Sequence, residues 1–277
     1  MTDDFESHRQ FLIGVAYRML GSFAEAEDIV QDAFLRWSAT DRGSVEHPRA
    51  FLARIVSRLC LDRMKSAASR REQYVGTWLP EPMVAPPSEP LGDDLSLALL
   101  LTLERLSPLE RAAFLLHDVF DMDYAAIAET LDRSEAACRQ LATRGREHVR
   151  EARPRFTASE ESRTKLTEAF HAAIVGSDVS TFAQLLADDA VFYSDGGGKR
   201  RAALNPIYGK DKIVRFLIGV SRMRPTLESL EQAQINGLPG FVLRTTEGVE
   251  TLSFDIANDQ IVAIYAIRNP DKLRHLS

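Results

Sequence analysis

From residue 5 to residue 20 apolar side chains recur at helical spacing, and the pattern breaks at Gly21-Ser22. A second helix is predicted from about Ala24. Ile29, Val30, Ala33, Phe34 and Trp37 form its packing stripe, while Glu25, Asp28 and Asp32, spaced by three and four, form an acidic one. The stretch DRGSVEHP reads as a loop and 50–69 as a third helix. Phe51, Leu52, Ile55, Val56 and Leu59 face inward on it, and Arg54, Arg58 and Lys65 share an outward stripe.

A second helical group starts at Ser107-Pro108-Leu109-Glu110: serine caps, proline suits the first helical position and glutamate closes a capping box. That helix is predicted to run to about 119. Asp123 caps a short helix through Thr130, 131–133 make a tight turn, and Ser134 caps a last helix to about Arg150. This is helix-turn-helix spacing. On the last helix Cys138, Leu141, Gly145 and Val149 suit a core, and Arg139, Gln140, Thr143 and Arg144 project from the other side. Such a face fits a DNA major groove, where arginine pairs with guanine and glutamine with adenine.

Beyond 160 the pattern changes. Helices are predicted at 161–175 and 179–187, then a strand at 190–194, a glycine-rich loop and a helix at 210–220. FVLRTT, ETLSFDIA and QIVAIYAIR follow as strands, separated by turns at Glu247-Gly248 and Asn258-Asp259. Helices before an antiparallel sheet indicate an α+β domain. The fold class is therefore multidomain: two all-α units, the second with a helix-turn-helix, and a C-terminal α+β unit.

Composition supports that division. The chain has 277 residues, about twice a typical domain of ~150, and its 45% apolar content is enough to build cores. Five of its 12 prolines fall between Pro80 and Pro90, which predicts an extended linker over 73–94. A second change at RPRFTASEESRT completes the boundaries, with units at 1–72, 95–156 and 160–277. The net charge of -6 hides two basic islands. Residues 49–71 hold seven basic groups against Asp62 alone, and residues 139–155 hold six arginines against Glu147 and Glu151. Two DNA-contacting units joined by a linker would read two separated sites.

Other chemistry is sparse. Cys60 and Cys138 are too few for a disulfide framework, which fits a reducing, cytoplasmic setting. With no run of 18 apolar residues, neither a signal peptide nor a membrane span is expected. Six dispersed histidines lack metal-ligand spacing, so neither a metal nor a cofactor is expected. The DGGGK stretch (Asp195, Gly196, Gly197, Gly198, Lys199) lacks the ending of a phosphate-binding loop and reads as a turn after a strand. His171 with a carboxylate such as Asp195 could make an acid–base pair in a pocket enzyme.

AEDIVQDAFLRW (26–37) with HPRAFLARIVSRLCLDRMKSAASRRE resembles the conserved core of bacterial sigma factors of the extracytoplasmic-function type. LSPLERAAFLLHDVFDMDYAAIAETLDRSEAACRQLATRGREHVR resembles their second DNA-binding domain. GTWLPEP, DGGGK and NPDKL further resemble the subgroup with a C-terminal SnoaL-like domain. The resemblance implies a non-catalytic promoter-specificity subunit of RNA polymerase. It places Asp28, Gln31, Asp32 and Trp37 on the helix that docks the clamp coiled coil of the β′ subunit. Arg54, Arg58, Arg63 and Lys65 fall in the part that reads and opens the minus-10 element, with the loop at 41–47 placed to hold a flipped base. Arg139, Gln140, Thr143 and Arg144 match the minus-35 recognition helix, and Asp132 stands where the family often has glycine.

For the last unit the resemblance implies a cone-like fold with a pocket for an unknown small ligand, in a superfamily that includes cyclases and isomerases. We expect this unit to regulate in cis. The linker residues Trp78, Leu79 and Pro80, the DGGGK turn, and NPDKL (Asn269, Pro270, Asp271, Lys272, Leu273) would touch and fix the spacing of the two promoter-reading domains. The alternatives are a DNA-tethered SnoaL-like enzyme using Asp195 or His171, and a ligand-sensing regulator that binds duplex DNA without polymerase.

Overall fold

The computed structural model describes residues 3–41, 43, 45–71, 74–85, 97–152, 160–176, 179–221 and 225–276. The chain divides into two compact units, one of Met1–Gln73 with Ala98–Arg153 and the other of Tyr74–Leu97 with Pro154–Ser277. The boundaries expected at 72, 94 and 156, and the Pro86–Pro90 part of the linker, lie outside the described residues.

The first unit begins with α1 (Asp3–Leu20), α2 (Phe23–Ser38) and α3 (Pro48–Arg71). Ser22 caps α2 by accepting from the Glu25 amide at 3.2 Å. The predicted stripe is buried: Ile29, Val30, Ala33 and Trp37 pack inward, and Trp37 lies 5.9 Å from the Phe51 ring of α3. A second group follows, with α4 (Leu97–Glu104), α5 (Pro108–Phe114), α6 (Tyr124–Leu131) and α7 (Glu135–Ala152). The Ser107–Glu110 capping box forms in both directions.

The helix expected to reach 119 is α-helical only to Phe114 and continues as a π-turn over Leu115–Val119. That wider turn lets His117 Nδ1 bond Met122 O at 2.9 Å and brings its ring 4.1 Å from Tyr124. Asp132 ends α6 with φ 53° and ψ 55°, a left-handed conformation that a short polar side chain tolerates. The periodicity gave no sign of α4. Its LALLLTLE sequence is apolar on every side, so it has no stripe to read.

The second unit holds α8 (Glu160–Gly176), α9 (Val179–Leu185) and α10 (Lys210–Ser221) with a seven-stranded sheet. The strands are β1 (Val84–Ala85), β2 (Leu186–Asp195), β3 (Ile207–Tyr208), β4 (Leu227–Ile235), β5 (Leu238–Thr245), β6 (Gly248–Ala257) and β7 (Gln260–Ile267). Their order is β1-β4-β5-β6-β7-β2-β3, antiparallel except for the parallel β2–β7 pair. The core clusters Phe170, Phe182, Phe192, Phe241 and Phe254 with Ile256 and Ile264.

Strand β4 was not expected, because LESLEQAQI leaves most of its side chains at least partly exposed and shows no apolar alternation. Strand β1 was not expected either. It comes from the proline-rich linker and pairs with β4, Val84 opposite Ile235. Residues 74–85 are therefore a strap that belongs to the sheet unit, where composition alone suggests a free tether.

Candidate nucleic-acid interface and linker clasp

The α2 helix presents Asp28, Gln31 and Asp32 to solvent beside exposed Leu35. Trp37 does not join that face. It is only 1% exposed, because it belongs to the same stripe as Ile29, Val30 and Ala33 and packs in the helical core.

On α3 the four residues expected at the minus-10 element all have acceptors within the chain. Arg54 pairs with Glu129 at 2.8 Å, Arg63 lies 3.9 Å from Glu25, and Lys65 pairs with Asp62 at 3.1 Å. Arg58 donates from Nε to Thr130 O at 3.1 Å and from Nη2 to Glu129 O at 2.7 Å. Two residues of the 41–47 loop lie outside those described. His47, at its end, lines with Arg49, Phe11, His8 and Asp121 a cleft of about 570 Å³.

On α7, Arg139, Gln140, Thr143 and Arg144 are exposed together. Arg139 pairs with Glu135 at 2.7 Å and lies over the Tyr124 ring at 5.0 Å, and Arg144 lies 3.8 Å from Glu110. The Arg146–Asp118 pair, with bonds of 2.8 and 3.0 Å, anchors α7 to the π-turn. At Gly145 an added Cβ would meet Phe114 Cβ at 2.8 Å, so the close α5–α7 packing needs glycine there. A rigid helix thus carries a polar, basic face.

In the second unit the three motifs meet on Asp195, a carboxylate 0% exposed at the end of β2. Its Oδ1 accepts from Tyr74 Oη at 2.5 Å and Gly197 N at 3.0 Å. Its Oδ2 accepts from Leu79 N at 2.9 Å and Lys272 Nζ at 2.7 Å. The Asp195 carbonyl accepts from the Arg268 and Asn269 amides at 2.7 and 3.0 Å. A buried carboxylate is tolerable only when paired and fully hydrogen-bonded, as here. Burial, followed by the hydrogen bond to Asp195, pushes the Tyr74 hydroxyl well above the usual phenol range, so it stays protonated and donates.

The strap is held largely through its backbone. Lys272 Nζ also donates to Leu79 O, and it lies 4.1 Å from the Trp78 ring centre. Asn269 donates to Tyr74 Oη at 2.9 Å and caps the turn at Pro270–Lys272 by accepting from the Asp271 amide. His275 contacts Pro82 O at 2.9 Å and Glu81 Oε1 at 3.4 Å. Lys199 of DGGGK pairs with Asp271 at 2.5 Å, and the Lys199 and Arg274 cations hold that carboxyl below its usual range. Leu79, Pro80 and Leu273 are buried.

The three glycines follow from the same packing. A Cβ on Gly196 would meet Arg200 O at 2.2 Å. Gly197 and Gly198 take φ of 60° and 70°, with Asn269 and Val75 against them. The family resemblance pointed to WLPEP, which includes Glu81, and to DGGGK and NPDKL, but neither it nor composition gave a sign of Tyr74, Asn236 or His275. Asn236, which bonds the Met83 backbone in both directions, is one example. The positive φ of 49° at Asn236, in an Asn-Gly turn, is a signal that could have marked it.

The acid–base pair of the enzyme alternative does not form. His171 is exposed on α8, its ring 6.2 Å from that of Phe241, while both Asp195 oxygens are occupied by other donors.

Residues 5–70 match the family model for sigma-70 region 2, and residues 96–149 match that for sigma-70 region 4. The ECF RNA polymerase sigma factor SigJ of Mycobacterium tuberculosis is 40% identical, over 97% of this chain and 92% of its own. A probable ECF RNA polymerase sigma factor of that species, SigI, is 32% identical over 97% and 93%. The crystal structure of M. tuberculosis SigJ superposes with a TM-score of 0.79 at 35% identity, covering 99% of this chain and 98% of that one. No helix among the described residues is long and apolar enough to cross a membrane.

Proposed function

The chain belongs to the extracytoplasmic-function sigma factors of RNA polymerase, and from that premise we propose how its parts divide the work of promoter recognition. It directs core polymerase to promoters and is not itself an enzyme. Its C-terminal unit is the SnoaL-like α+β domain.

In our reading Asp28, Gln31 and Asp32 of α2 dock the clamp helices of the β′ subunit, with Trp37 holding α2 in place from inside. Arg54, Arg58, Arg63 and Lys65 engage the minus-10 element. Duplex opening there costs a few kcal/mol of unstacking, so capture of an extruded base selects sequence. Arg139, Gln140, Thr143 and Arg144 read the minus-35 element from the major groove, and flanking arginines set register through phosphates. A net charge of -6 does not prevent this, because the basic groups are concentrated where DNA would lie.

The C-terminal unit regulates in cis by seizing the strap between the two DNA-reading modules. One observation carries this reading: buried Asp195 is hydrogen-bonded by Tyr74 and Leu79 of the strap and by Lys272 of the C-terminal turn. While these bonds hold, residues 74–85 are unavailable as a free spacer.

Run-off transcription with purified core polymerase and a promoter of the protein's own operon tests the reading. Promoter-dependent transcript is expected from the full chain. A chain that neither binds core polymerase nor yields transcript would instead favour the fused enzyme.

A further inference from the structure

Beside the basic face of α7 stand two features that promoter reading has not yet used, the π-turn at Leu115–Val119 and the aromatic ring that follows it. Leu115, Leu116 and His117 accept through their carbonyls from the amides of Phe120, Met122 and Asp121, and the chain passes at once into the Asp123 cap of α6. That path sets the His117 ring 4.1 Å from the ring of Tyr124, the first residue of α6, with the planes 33° apart. His117 is itself fixed by its Nδ1 contact to Met122 O at 2.9 Å. Tyr124 is partly buried, and the guanidinium carbon of Arg139 lies 5.0 Å from the centre of its ring. From within α7, Glu135 Oε2 accepts from Arg139 Nη2 at 2.7 Å.

Arg139 is therefore gripped from two sides although its side chain is 56% exposed. A long side chain at an exposed place has many rotamers to lose, and immobilising it on binding costs affinity. An aromatic face attracts a guanidinium and orients its plane. A bidentate contact to guanine needs two N–H groups in one fixed fork. Arginine has five such donors, so the one given to Glu135 leaves enough for a base.

We propose that Tyr124, backed by His117 of the π-turn, is a positioning residue for promoter discrimination: with Glu135 it holds the Arg139 guanidinium in the orientation that reads one base pair of the minus-35 element. The proposal rests on the reading of Arg139 as a minus-35 base contact. It also gives the π-turn a task, since such turns recur at functional sites. Arg144 lies 3.8 Å from Glu110 instead, so its base preference should not depend on Tyr124. The Tyr124 hydroxyl serves another partner: after Asp118, it makes the second hydrogen bond that raises the Arg146 pKa. Phenylalanine at 124 thus separates the part of the ring from that of the hydroxyl.

Run-off transcription with core polymerase and the full chain, on the promoter of its own operon and on single base-pair substitutions across minus-35, yields a base-preference profile. Arg139→Ala marks the pair that Arg139 reads. Tyr124→Leu should reduce preference at that same pair about two- to tenfold and leave the other pairs unchanged. Combined with Arg139→Ala it should add no further loss, because both changes remove one interaction. Tyr124→Phe should keep the whole profile. Glu135→Gln, at an exposed position, should weaken preference at the same pair, and it decides the matter if melting curves show that Tyr124→Leu does not fold.

Loss spread evenly over all minus-35 pairs, or loss that adds to that of Arg139→Ala, would overturn the proposal and leave Tyr124 a packing residue. So would an unchanged profile in the Tyr124→Leu and Glu135→Gln chains beside a selective loss in Arg139→Ala, with the minus-35 reading still standing. No selective loss from Arg139→Ala itself would remove the base-contact reading, and the positioning role with it.

Discussion

Asp195 concentrates the chemistry of the C-terminal unit in one side chain, and its partners differ in what their loss would do. Removing Lys272, itself 12% exposed, strands a buried carboxylate. Breaking such a pair from one side costs about 3–5 kcal/mol. Lys272→Met should therefore lower the thermal midpoint of the C-terminal unit sharply, and adding Asp195→Asn should restore part of the loss, both read by calorimetry. His275 makes the clasp depend on pH. Its hydrogen bond to Glu81 raises its pKa above the ordinary 6.5. The raised value means that the protonated form is favoured in the folded state. The contribution is therefore fully present below about 6.5 and is lost as pH rises through the raised value. The melting temperature should fall as the pH rises above 6.5 in the native chain, and His275→Gln should flatten that dependence. At this scale the DGGGK turn was legible because glycines announce unusual backbone, whereas NPDKL was marked only by the family resemblance. Tyr74 and His275 were not, since nothing local distinguishes a tyrosine or histidine that meets its partner more than a hundred residues away.

Among the elements, those with their own caps and a one-sided apolar stripe were readable: α2 behind Ser22, α5 behind Ser107, and α6 between Asp123 and left-handed Asp132. Local hydrogen bonds end these helices, so local sequence encodes them. By contrast, α4 is apolar all round, β4 is largely polar, and β1 exists only because β4 is there to pair with it. Helix α7, which in our reading is the minus-35 recognition helix, gives the test proper to this scale. Arg139 is more than half exposed and has one neighbour-in-helix ion pair, so Arg139→Ala should change stability by no more than about 0.5 kcal/mol. Yet loss of a bidentate base contact costs about 1–3 kcal/mol in discrimination. Transcription from a matched promoter should drop toward that from a promoter mutated at minus-35, with the melting curve unmoved.

For the whole molecule, the strap and the last nine residues determine which unit owns the linker. Deleting 269–277 removes Asn269, Lys272 and His275 together. Residues 74–85 should then exchange amide hydrogens almost as a free peptide does, where the intact chain protects Leu79. Protection that survives the deletion would mean that β1–β4 pairing alone holds the strap. By itself the sequence determined the helical modules, their caps, the exposed basic face of α7 and the α+β character of the last unit, because periodicity and capping are short-range. Only the tertiary structure decided that residues 74–85 join the sheet unit, that DGGGK and NPDKL converge on Asp195, and that Arg58 of α3 bonds the Glu129 and Thr130 carbonyls. Those outcomes depend on burial and on hydrogen-bond partners remote in the chain, which a periodic pattern does not record.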